Sequence, residues 1–156
     1  MKHEIITVKI AFFITFCFSL SSADLISGVY YNPGLKLGVQ FGKTTDFLLG
    51  FENSITAAML YGMPFCGLVG GIAFNFKRKK FIEYLEIEGG FIPLGIAFGG
   101  EWNDGYHGSF RVFSGALGYL SYKHLFKTSI HEISLIGKHP YGLYEVTDHG
   151  VYSVLN

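Results

Sequence analysis

The sequence predicts an all-β protein, an antiparallel meander closing into a small barrel of about eight strands. Three observations carry that prediction. Stretch after stretch alternates with a period of two, turn-forming residues separate the alternating runs, and helical periodicity is weak beyond the first 23 residues. Composition adds a constraint on the surroundings. Only 15% of residues are charged, against ~25% in soluble domains, while 17% are aromatic and 21 are glycine. A small domain has much surface for its volume, so sixteen Phe and ten Tyr are hard to hide in one soluble core. That excess points toward a membrane.

The chain opens with a secretory signal. Lys2 and Lys9 form a charged lead, residues 10–20 (IAFFITFCFSL) are apolar, and Ser21-Ser22-Ala23 supplies small residues for a cut before Asp24. Eleven residues of helix rise only ~16 Å, about half of a ~30 Å hydrocarbon core, which favours a cleavable signal over an anchor. Residues 1–23 are therefore read as signal and residues 24–156 as one domain. That domain has a formal charge of −1, so with no basic excess nucleic acid is not an expected partner. Cys66 is its one cysteine, which excludes an intramolecular disulfide.

The strands follow in order. In residues 35–42, Leu35, Leu37, Val39 and Phe41 alternate with Lys36, Gly38, Gln40 and Gly42. Phe47, Leu49 and Phe51 alternate with Leu48, Gly50 and Glu52, and a long connection is expected from 53 to 63. Leu68, Gly70, Ile72, Phe74 and Phe76 share one face of the next strand. Residues 81–91 alternate less cleanly, because Glu83 falls on the apolar side. Leu94, Ile96, Phe98 and Trp102 share a face, and residues 110–120 read as a further strand. Turns are expected at 42–45, 77–80, 103–105 and 137–142; the Asp104-Gly105 pair suits a hairpin turn needing positive φ. Residues 57–76 lack charge and precede Lys77-Arg78-Lys79-Lys80, which also fits a spanning helix with a cytoplasmic stop. Pro64, the glycines and the alternation of 68–76 favour a strand with a basic turn.

Which face is inside decides the class. The face opposite the large apolar residues is mostly Gly and Ala with scattered charge, too sparse for a water-facing surface. It suits the lumen of a narrow barrel whose apolar band faces lipid, closure satisfying every backbone polar group. The charged network expected inside comprises Lys36, Glu52, Glu86, Glu88, Glu101 and Arg111. Glu101 and Arg111 flank one turn and are expected to meet across that hairpin; Glu86 and Glu88 are expected to share Arg111 or Lys36. A packed ionic plug is the expected arrangement, with a conducting lumen as the alternative.

The export signal, the Gly- and aromatic-rich alternating strands, and segments such as 81–91 (FIEYLEIEGGF) and 118–126 (GYLSYKHLF) resemble the small outer-membrane β-barrel proteins of Gram-negative bacteria. The resemblance covers roughly residues 34–126. It implies an eight-stranded barrel in the outer membrane, membrane lipid as partner, and a structural, adhesive or surface-protective role. Some members are lipid-modifying enzymes.

Chemistry is sparse. His107, His124, His131, His139 and His149 form no metal pair at helical spacing, and no cofactor or nucleotide motif stands out. His107 and His139 read as ordinary surface positions, and Cys66, between Phe65 and Gly67, as a buried inert thiol. Lys77–Lys80 suits anionic headgroups or a solvated turn. Gly70-Gly71 and Gly99-Gly100 suit close approach within a curved sheet. One weak catalytic candidate is residues 129–134 (SIHEIS): His131 beside Glu132, with Ser121, Ser129 or Ser134, matches nucleophile, base and orienting acid by residue type. Lipid deacylases of the resembled class use such a set, so a lipid hydrolase stands as one alternative. A soluble periplasmic or secreted barrel binding an apolar ligand is the other.

Overall fold

A computed structural model of the chain describes residues 27–42, 44–58, 64–115, 118–147 and 150–153; the expected signal segment lies outside the described residues. The strands are β1 (Gly28–Phe41), β2 (Asp46–Ala58), β3 (Phe65–Asn75), β4 (Lys80–Phe91) and β5 (Leu94–Trp102). They continue with β6 (Tyr106–Gly115), β7 (Gly118–Leu125), β8 (His131–Lys138), β9 (Tyr141–Thr147) and β10 (Gly150–Ser153). Each of β1 to β7 pairs antiparallel with the next, and β8 returns to pair with β1, closing an eight-stranded barrel. β9 continues the line of β8: Lys138 lies opposite Gly34 and Tyr141 opposite Tyr31, one register on β1. β10 folds back on β9 as one extra strand.

The registers fix the shape. Stepping from Tyr31 to Ile55 and on through Leu68, Ile87, Phe98, Phe110, His124 and His131 returns to β1 at Phe41, ten residues further along. With ~3.3 Å per residue and ~4.8 Å between strands, that offset tilts the strands roughly 40° from the barrel axis. The turns at 42–45, 76–79, 103–105 and 126–130 lie at one end, here the upper end. The start of β1, the end of β2, the turn at 92–93 and the end of β6 lie at the lower end.

Several expected boundaries differ. β1 begins at Gly28 rather than Leu35, and β2 runs on through residues expected in a long connection, because Asn53, Ile55 and Ala57 keep the alternation going. The run 110–120 is two strands, not one, since the chain reverses between Gly115 and Gly118. Gly115 has φ of 138° there, and an added Cβ would meet the carbonyl oxygen of Gly118 at 2.0 Å. The stretch 137–142 does not reverse; His139 donates its N–H to the Pro33 carbonyl at 3.0 Å and the chain carries straight on. His107 lies in β6 rather than in the turn. Among the described residues no helix is long and apolar enough to cross a membrane, and the stretch considered for one contains β3.

Alternation now has a direction. Lys36, Glu52, Glu86, Glu88, Glu101, Arg111, Lys123, Glu132 and Lys138 are buried inside the barrel, while Leu35, Phe51, Ile87 and Leu135 stand exposed outside. Glycine makes room for the larger inward side chains: the ring of Tyr84 lies across Gly71, and that of Phe113 across Gly95.

Candidate functional site: the barrel interior

Because inward positions recur every second residue and neighbouring strands are staggered, charges from seven strands converge on the middle of the lumen. Arg111 of β6 is the hub. Its Nη1 lies 2.7 Å from Glu52 Oε2, its Nε 2.9 Å from Glu86 Oε2, and its Nη2 3.9 Å from Glu88. Lys123 of β7 sits 3.1 Å from Glu86 and 3.0 Å from Glu101. Lys138 of β8 sits 2.7 Å from Glu52 and donates to Ser54 Oγ at 3.0 Å. Lys36 of β1 pairs with Glu132 at 2.7 Å. Tyr84 stands between these groups, donating its hydroxyl to Glu52 at 2.8 Å; Lys36 and Lys123 lie 4.4 and 4.5 Å from its ring centroid. In a low-dielectric interior these pairings offset the several kcal/mol that burying each ion costs.

All six charged residues named from the sequence lie in this interior. Their partnerships differ in one case. Glu101 is opposite His107, not Arg111, and its carboxylate reaches Lys123 of the neighbouring strand; Arg111 is opposite Ala97. Glu86 and Glu88 both approach Arg111, Glu86 closely and Glu88 at 3.9 Å. Lys123, Glu132 and Lys138 were not assigned to the network from the sequence. Their signal was available: Tyr119, Ser121, Lys123 and Leu125 share one parity, as do Glu132, Ser134, Ile136 and Lys138.

Above the network, the lumen beside the upper turns holds the buried side chains of Leu48, Ile82 and Leu125. A polar lid covers it. Asp46 binds Arg78 Nε at 3.0 Å and accepts from Asn75 Nδ2 at 3.3 Å, and Asn75 also reaches Gln40 at 3.5 Å. On the outer rim, Lys80 pairs with Asp104, and that hydrogen bond holds the Asp104 carboxyl below its ordinary value of 3.8. Below the network a cavity of about 70 Å³ opens toward the lower end. Aromatic rings of Tyr30, Phe65, Phe113 and Tyr119 line it, together with Glu88 and Lys138.

The Ser-His-acid candidates do not assemble. Consecutive strand residues face opposite sides, so His131 lies on the outer face while Glu132 and Ser134 are buried inside. Glu132 is engaged with Lys36, and Ser134 with Ser121 at 2.7 Å. His131 instead binds the Tyr122 hydroxyl through Nδ1 at 2.7 Å and stacks on His124 at 4.8 Å between centroids. The barrel wall separates His131 from Glu132, Ser121 and Ser134, and Ser129 is exposed in the upper turn, away from the buried acid. Cys66, expected to be buried, is exposed, because it shares the outward parity of Leu68 and Ile72. Among the described residues no group of three or more His, Cys, Asp or Glu side chains is arranged to hold a metal ion. No family model matches the chain, and neither a curated protein nor a solved structure is similar to it.

Proposed function

We propose that the chain is an exported outer-membrane β-barrel protein whose role is structural or surface-interacting, with membrane lipid as its partner. One observation carries the reading: the outer wall is an apolar band bounded at both ends by aromatic rings. At the upper end each of seven strands ends or begins beside an exposed aromatic: Phe41, Phe47, Phe76, Phe81, Trp102, Tyr106 and Phe126. Tyr31, Phe91, Tyr141 and Tyr144 are exposed toward the lower end. Leu35, Leu37, Leu49, Leu68, Leu85, Ile87, Ile96, Ile133 and Leu135 are exposed between them. Water-soluble monomers rarely expose apolar patches above a few hundred Å², whereas membrane barrels carry an apolar band about 25 Å tall between aromatic girdles. A ten-residue strand tilted by roughly 40° rises about 25 Å.

The alternatives fare less well. A soluble barrel that carries an apolar ligand needs an apolar lumen and a polar wall, and this polarity is reversed. The lipid-hydrolase reading loses its acid, Glu132, and the Ser121 and Ser134 hydroxyls to the interior. Within the proposed class the structural role is favoured, because the upper turns at 42–45, 76–79, 103–105 and 126–130 are short and give a protein partner little to grip.

Trp102, the sole tryptophan, tests the reading. It is 46% exposed in the upper girdle. The protein refolded into lipid vesicles should show blue-shifted emission, quenched more by lipids brominated near the headgroup than by lipids brominated near the chain end. Emission unchanged by vesicles and unquenched by either lipid would sink the proposal.

A further inference from the structure

The charges of the central network do not balance. Four cations (Lys36, Arg111, Lys123 and Lys138) face five carboxylates (Glu52, Glu86, Glu88, Glu101 and Glu132), while the buried Asp46 of the lid has its own cation in Arg78. Four of the carboxylates have a cation within 3.1 Å. Glu88 is the exception: Lys138 and Arg111 come no closer than 3.8 and 3.9 Å. Its Oε1 accepts from Thr56 Oγ1 at 3.2 Å, but its Oε2 has no hydrogen-bond partner although the residue is only 4% exposed. A buried carboxylate oxygen without a partner is costly. This one lines the lower cavity.

The cavity wall supplies the complementary chemistry. Phe65 and Phe113 lie 6.1 Å apart by centroid, and Phe113 and Tyr119 5.3 Å apart, so three rings form a continuous surface beside Glu88. Aromatic faces attract cations through the ring quadrupole, and cages of such rings favour organic ammonium ions over strongly hydrated metal ions. The ring of Tyr119 already attracts Lys138 Nζ at 5.0 Å, and that of Phe113 attracts the Arg111 guanidinium at 5.5 Å. Lys138 is committed to Glu52 and Ser54, and the net charge of the interior is negative, so an anion would be repelled overall. A volume of about 70 Å³ is several times what one water needs and suits a small head group.

We propose that the lower cavity binds a small organic cation, a methylated or primary ammonium group, with Glu88 as counter-ion and the Phe65–Phe113–Tyr119 rings as its cage. The site lies wholly inside the barrel and does not depend on the membrane assignment. The test uses the full chain refolded in a maltoside detergent, which carries no ammonium group of its own. Tetramethylammonium and methylammonium are titrated by calorimetry and by saturation-transfer NMR, with sodium and neutral tert-butanol as comparators. Saturable binding of at least one ammonium ion is expected, weakened at least tenfold by Glu88→Gln and severalfold by Tyr119→Leu, with β circular dichroism retained. Tyr119→Leu leaves every charge in place, so it decides the matter if Glu88→Gln fails to fold. The proposal is overturned if neither ammonium ion saturates, if sodium or tert-butanol competes equally, or if folded Glu88→Gln binds as the parent does.

Discussion

At the scale of single residues, Arg111 bears the most consequence. It lies 2.7 Å from Glu52 and 2.9 Å from Glu86 and is itself 1% exposed. Replacing it with an apolar side chain of similar length removes no contact with water and leaves two buried carboxylates short of a cation. Breaking a buried pair from one side costs about 3–5 kcal/mol, whereas removing both partners together is often close to neutral. Arg111→Met should therefore lower unfolding stability in urea by about 3–5 kcal/mol, and adding Glu52→Gln should recover part of that loss. Equal losses in the single and double variants would show that packing around the hub, not charge, sets the cost. Beyond residue 120 the sequence delimits no strand, so Lys123, Glu132 and Lys138 stayed outside the expected network. The other six charges of the network were legible because parity alone fixes which side of the wall a strand residue faces. Their partners were not. Glu101 seemed placed for Arg111 across one turn, but the stagger of neighbouring strands carries its carboxylate to Lys123.

Elements show the same division. The runs at 81–91 and 94–102 were legible almost to the residue, because the expected turns at 77–80 and 103–105 bound the pair on its outer sides. The reversal between β6 and β7 was not, since Ala116 and Leu117 carry none of the usual turn chemistry and the parity of apolar residues survives the reversal. Pro140 misled in the other direction. It lacks an N–H to donate, yet the chain keeps its register on β1 on both sides of it. Closure therefore rests on β8, which pairs with β1 from Gly34 to Phe41, while β10 pairs only with β9. A chain shortened after Thr147 should still fold to a β spectrum and resist heat in detergent. A chain shortened after Ile130 should not, since β1 and β7 would be left as open edges. If both shortened chains fold alike, the seam between β1 and β8 is not what closes the barrel.

For the whole molecule, three layers stacked along the axis bear on whether water and ions can pass. The lower cavity is open to its end, but above it the network from Lys36 to Lys138 spans the lumen with pairs at 2.7–3.1 Å. Above that, Leu48, Ile82 and Leu125 are each no more than 3% exposed, and the Asp46–Asn75–Arg78 lid closes the top. An eight-stranded barrel is only wide enough for its own side chains, and an ion passing the buried Leu48, Ile82 and Leu125 would shed hydration that these side chains do not replace. The barrel should therefore show no steady conductance in a planar bilayer. The Arg111→Met variant should be equally silent, because Leu48, Ile82, Leu125 and the lid make no ion pair with the hub. Discrete openings in the parent would reverse the assignment of plug to pore. Openings confined to Arg111→Met would place the barrier in the ionic network and leave the three apolar side chains without that role.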